Sequence, residues 1–240
     1  ISITFLVRLP RKECLIKEGL IFMLIQLAAA PVFLGLFYIY VRDKYEKEPW
    51  KMLFLGLLYG IYTTAVIYAV GLALEKLFPH QEIPLYTAFI SSAGVEEVIK
   101  YVFLVLLIWK NGNFNEPLDG IVYGVFVSLG FAWIENIIYV THPIMGGYGT
   151  ALSRAVLSVP GHGLFGVQMG YYLGLAKFFG SKKNLVLALF IPYLAHALYN
   201  YFLLEKFSFY WIPFWILEAW LWWSALRHIK ELVRISPFRE

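Results

Sequence analysis

Charge is what this 240-residue chain has least of: 15% of its residues are Asp, Glu, Lys or Arg, against about 25% in a soluble globular protein. A soluble domain of this length still exposes about a quarter of the surface of its unfolded chain, and there are too few charges here to cover that area. An ordinary water-soluble fold is excluded. Cysteine is scarcer still. Cys14 stands alone, so there is no internal disulfide and no paired-thiolate metal site, and the redox compartment stays open. Aspartate occurs only as Asp43 and Asp119, both near the ends of apolar runs, which argues against a paired-aspartate intramembrane protease. No His-Glu-x-x-His zinc motif is present. Ser128 and Ser158 lack Gly-x-Ser-x-Gly surroundings, and five histidines are too few for a histidine-rich di-iron centre.

What the chain has instead is apolar bulk. Hydrophobic residues make up 60% and aromatic residues 19%, with a mean hydropathy of +0.66. A membrane helix needs about 20 mainly apolar residues. Seven runs qualify, at approximately 20–41, 51–74, 85–109, 118–140, 150–179, 185–204 and 209–227. The sequence therefore predicts an all-α polytopic transmembrane helix bundle with short connectors. Residues 1–19 form an N-terminal interfacial segment, 20–228 a single transmembrane domain, and 229–240 a C-terminal tail.

Basic residues crowd the first connector (Arg42, Lys44, Lys47, Lys51), the fifth (Lys177, Lys182, Lys183) and the C-terminal end, and are absent from 141–149. The positive-inside rule then places connectors one, three and five and the tail in the cytoplasm. Arg8, Arg11, Lys12 and Lys17 run against that trend, which leaves seven or eight spans open. They follow rather than precede the short apolar stretch 1–9, so no cleavable leader is expected. The net charge of +4 is explained by topology and calls for no nucleic-acid partner. Trp211, Trp215, Trp220, Trp222 and Trp223 read as an interfacial belt. Arg154, near the outer end of its span, is expected to reach the interface, Glu218 to face the bundle or snorkel, and His80, His142 and His228 to have no role.

Ionisable groups inside apolar runs are costly and mark function. The third run carries Glu96, Glu97 and Lys100, the fourth Glu135 and Asn136, the fifth Pro160-Gly161-His162-Gly163, and the sixth His196 and Asn200. At about 1.5 Å per residue, Glu96 and His162 lie roughly 16 Å from the outer ends of their helices, His196 roughly 14 Å and Glu135 under about 10 Å. Similar depths on four spans predict one buried polar site toward the outer leaflet. Lys100 is spaced i+4 from Glu96 and i+3 from Glu97, so it can neutralise a carboxylate on its own helix. Adjacent carboxylates in low dielectric resist joint ionisation, which suits one of them to take and return a proton. His196 and Asn200, four apart, face one point, and Pro160 is expected to break or kink its helix. Water activated by a carboxylate, helped by histidine or a metal, fits this set. A proton-coupled transporter using the same residues as a relay is the alternative, although no internal repeat is present.

Glu96-Glu97-x-x-Lys100, Phe131-x-x-x-Glu135-Asn136, His162 and His196-x-x-x-Asn200, each on its own span, resemble the PrsW family of bacterial multi-pass intramembrane proteases. Arg42-Asp43-Lys44-Tyr45-Glu46-Lys47-Glu48-Pro49 and Asp119-Gly120 extend the likeness, which runs from about residue 30 to 205. The resemblance implies a bacterial cell-membrane enzyme that cuts a single-span membrane substrate on its extracytoplasmic side, typically an anti-sigma factor, as the first step of regulated intramembrane proteolysis in a stress response. It implies Glu96 as water-activating base, Glu97 assisting, Lys100 balancing charge, and His196 with Asn200 stabilising the oxyanion. Glu135 stands where the wider CAAX-protease superfamily usually has histidine. Two chemistries stay open: a zinc held by Glu135, His162 and His196 with water in the fourth position, or a metal-free glutamate protease whose histidines hydrogen-bond water and oxyanion.

Overall fold

The computed structural model describes residues 11–78, 83–205 and 207–239; residues 1–10, His80 and Lys206 lie outside them. In hydrocarbon each segment must satisfy its own backbone N–H and C=O groups, which a helix does alone, and helices duly form along the apolar runs. They are α1 (Arg11–Arg42), α2 (Trp50–Leu77), a short α3 (Pro84–Tyr86) that continues through a π-helical stretch (Thr87–Ser92) into α4 (Ala93–Ile108), and α5 (Pro117–Thr141). A short α6 (Tyr148–Ser153) likewise passes through a π-helical stretch (Arg154–Ser158) into α7 (Val159–Phe179), followed by α8 (Lys182–Leu204), a 3₁₀ turn (Ser208–Tyr210) and α9 (Trp211–Arg234). Among the described residues there is no strand, and the helices make seven rods along the seven apolar runs.

Four rods are long and apolar enough to cross a membrane as unbroken helices: Gly19–Arg42 of α1, then α2, α5 and α8. The other three fall short for identifiable reasons. The π-helical stretch leaves α4 only 16 residues, among them Glu96, Glu97 and Lys100. Five glycines, His162 and Gln168 dilute α7, and α9 carries Glu218 and a basic C-terminal end. Residues 11–19 of the expected interfacial segment belong to α1, and α9 passes the expected boundary at 228 without a break.

The bundle is built around α5, which is buried without interruption from Pro117 to Ala132 and packs most extensively on α7, then on α2 and α1. Lipid gives helices no hydrophobic reason to associate, so close backbone approach at small residues carries the packing. A Cβ on Gly170 would lie 2.0 Å from the Gly120 carbonyl oxygen, and one on Gly60 would lie 2.1 Å from that of Val127. These contacts fix α7 and α2 against α5 and thereby set the spacing of the polar residues on them. The backbone irregularity expected at Pro160 occurs one turn earlier. Pro160 sits at the start of α7, and the irregular backbone is the π-helical stretch just before it.

Candidate active site

Six side chains from two rods close a ring of hydrogen bonds. The Lys100 ammonium donates to Glu97 Oε1 at 2.8 Å and to Glu96 Oε2 at 3.3 Å. Glu97 Oε1 accepts from His196 Nδ1 at 2.8 Å, and His196 Nε2 lies 3.1 Å from the Asn200 amide nitrogen. That amide also donates to Ser92 Oγ at 2.8 Å, and Ser92 donates to Glu96 Oε1 at 3.1 Å. The partners dictate the tautomer: His196 carries its proton on Nδ1, facing the carboxylate, and accepts at Nε2. Glu96, Glu97, Lys100 and His196 are all buried, and Lys100 touches both carboxylates rather than one. Phe165 stacks on His196 at 4.7 Å and locks the ring plane.

A second chain of contacts is attached at Lys100, whose ammonium is 3.3 Å from His162 Nδ1. An ammonium only donates, so His162 bears its proton on Nε2 and donates it to Glu135 Oε2 at 3.0 Å. The same carboxylate oxygen accepts from Arg154 Nη2 at 2.5 Å. Arg154 Nε donates to Asn136 Oδ1 at 2.8 Å, and Asn136 reaches the Ala28 carbonyl of α1 at 3.0 Å. Arg154 was expected at the interface; it lies instead in the cavity wall, with its guanidinium on Glu135 and Asn136. Its position near a span end gave no sign of this, and the π-helical stretch begins at it. Glu218 is buried and faces the bundle, while the five tryptophans of α9 expose their rings.

Each irregular turn precedes a site residue. The first ends at Ser92, one turn before Glu96; the second ends at Ser158, one turn before His162. π-bulges are frequent at functional sites because they re-aim the following turn. A cavity of about 270 Å³ opens beside them, lined by Ser92, Glu96, Glu135, Arg154, His162 and His196 among others. Glu97 is absent from its wall and is fully buried.

The donor set fits a divalent metal of zinc type, being two imidazoles and two carboxylates. One ligand atom from each of Glu96, Glu97, His162 and His196 lies within 4.8 Å of the others. Glu135, expected among the metal ligands, is not in this group, because its carboxylate is engaged by Arg154 and by the far ring nitrogen of His162.

A buried carboxylate–imidazole centre with its own cavity, inside a bundle of apolar helices, defines a membrane-embedded hydrolase. The family described as PrsW family intramembrane metalloprotease matches residues 48–222. Among curated relatives, protease PrsW of Geobacillus kaustophilus is 37% identical over 215 residues, covering 88% of this chain and 92% of that protein. Protease PrsW of Bacillus subtilis is 37% identical over 218 residues (88% and 95%), and that of Clostridioides difficile 34% over 188 residues (75% and 79%). No solved structure matches significantly. The chain belongs to the PrsW family of intramembrane proteases and is a peptide hydrolase of the membrane. The transporter alternative is not favoured.

Proposed function

We propose that this enzyme cuts a single-span membrane protein of anti-sigma-factor type near the extracytoplasmic face, as the first cleavage of regulated intramembrane proteolysis. The observation that carries the chemistry is the division of labour within the acidic pair. Glu96 lines the cavity, whereas Glu97 is fully buried between Lys100 and His196. Glu96 is thus the general base, and Glu97 is a positioning residue that fixes the Lys100 ammonium and the His196 ring in place. The side of the membrane is supported by the outer-leaflet depths of Glu96, His162 and His196 and by the connector charges.

Glu96 removes a proton from water, whose oxygen bonds to the scissile carbonyl carbon while the carbonyl oxygen becomes an oxyanion. Both N–H bonds of the Asn200 amide are taken in the resting site, by Ser92 Oγ and His196 Nε2, and the one on His196 is exchanged for the oxyanion when the carbonyl carbon becomes tetrahedral. Collapse breaks the C–N bond, and Glu96 returns the proton to the leaving nitrogen. Arg154 and His162 hold Glu135 from two sides and keep that wall of the cavity rigid. A metal held by Glu97, His162 and His196 would add Lewis-acid polarisation at this point.

The test is Glu96→Gln in full-length protein co-reconstituted with single-span substrates of the anti-sigma-factor class. Cleavage is expected to fall by about 10²–10⁴-fold, the usual worth of a general base, with unchanged elution and unfolding temperature. Undiminished cleavage rules out Glu96 as the base.

A further inference from the structure

Glu96 and Glu135 are walls of two cavities. Besides the polar one between α7 and α8, a second of about 280 Å³ lies between α2 and α5, beneath His142 and Met145 of the following connector. Glu96, Glu135 and Tyr139 line both. A peptide whose scissile carbonyl lies at Glu96 therefore has a different chamber on each side of the bond. The polar chamber holds the hydrogen-bonding groups that act on the carbonyl. The second is walled by Ile67 and Tyr68 of α2 and by Phe131 and Ile138 of α5. Its volume is roughly that of nine waters, room for one aliphatic or aromatic side chain. Thr64, also on its wall, is buried, and its hydroxyl has no hydrogen-bond partner, a cost that a bound peptide amide or carbonyl would remove.

Resting on the hydrolytic reading above, we propose that this α2–α5 cavity is the specificity pocket of the protease. It takes the side chain of one residue flanking the cleaved bond and selects an apolar one, while Thr64 holds the adjacent substrate backbone. Continuity with the catalytic cavity through Glu96 and Glu135 distinguishes this chamber from the other apolar grooves on the bundle, whose walls include neither residue. Burying a leucine-sized side chain there in place of glycine is worth about 1.5–3 kcal/mol, or about 10- to 150-fold.

The probe is a synthetic single-span peptide with a Leu/Ala membrane helix and an extended outer segment, varied through Gly, Ala, Leu and Phe on each side of the cleaved bond. Full-length protein in nanodiscs is expected to prefer Leu or Phe over Gly by at least about tenfold in kcat/KM at one of those positions. Ile67→Trp, which fills the cavity, should reduce that preference to below about threefold, and taking the ratio between substrates cancels any general loss of folded enzyme. A ratio unchanged in Ile67→Trp overturns the pocket. If the wild type cuts none of the peptides, the hydrolytic reading fails for them, and the pocket is tested separately by binding. Benzoylphenylalanine placed at successive positions of the peptide, bound to Glu96→Gln, should photolabel α2 between Thr64 and Tyr68 from one or two adjacent positions; labelling confined to other helices overturns the proposal.

Discussion

Lys100 is where the site's electrostatics are decided. Its ammonium is fully buried and contacts Glu96, Glu97 and His162 while lying 4.2 Å over the Phe131 ring. Two adjacent carboxylates could not stay charged in this dielectric without it, since removing one partner of a buried ion pair costs about 3–5 kcal/mol. Its spacing to the glutamates was legible in sequence, because i+3 and i+4 neighbours on a helix must meet. Its contact with His162, 62 residues away, was not, and neither was the turn of Arg154 into the site. Two of the groups that Lys100 touches, Glu97 and His162, belong with His196 to the proposed metal-holding set. Full-length protein is expected to retain about one equivalent of a zinc-type metal by elemental analysis, and His196→Ala to lose it while remaining folded. Chelation should stop proteolysis and zinc should restore it; full proteolysis by metal-free protein rules the metal out.

At the scale of elements, the catalytic distances are set by how closely α5 can approach its neighbours. Glu135 on α5 meets His162 on α7 because Gly120 and Gly170 let the two backbones touch further along the same helices. In Gly170→Ala the new Cβ would sit 2.0 Å from the Gly120 carbonyl oxygen, and backbone cannot yield as a side-chain tip can. Destabilisation of about 3 kcal/mol, the upper end of overpacking costs, is expected, with a loss of proteolysis of about tenfold or more as His162 leaves Glu135. Gly71→Ala on α2 meets nothing within 4 Å and should be neutral or stabilising by up to about 1 kcal/mol. Thermal unfolding of both variants in detergent checks the contrast, and equal effects would dismiss the close approach as the cause. The helical rods themselves were readable, since apolar length dictates a helix in lipid. The two π-helical stretches were not, because Thr87–Ser92 and Arg154–Ser158 carry no residue that forces a fifth residue into the turn.

Over the whole molecule, acid groups collect at both ends of α5, and one collection is the proposed catalytic site. At the end opposite Glu135, the first connector folds back so that Asp43 accepts the Glu48 amide at 3.1 Å and Glu48 accepts the Tyr123 hydroxyl of α5. Asp119 and Glu116 lie beside them, with Glu46 nearby, and the cations that face the group are Lys47 and, from α7, Lys177. The sequence showed these residues only as a likeness in Arg42–Pro49 and Asp119-Gly120; their burial arises from the packing of the connector on α5. That burial pushes Asp43 up to about 6 from 3.8 and Glu48 up to about 7 from 4.5, and it raises Glu116. The folded protein then holds protons on Asp43 and Glu48 that the unfolded chain has released, so their contribution to stability falls as pH rises between about 4 and 7. Thermal unfolding in detergent is therefore expected at a higher temperature at pH 5 than at pH 8. Asp43→Asn with Glu48→Gln should flatten that slope, since neither amide titrates. A slope as steep in the double variant as in the wild type would rule out Asp43 and Glu48 as the origin of the pH dependence.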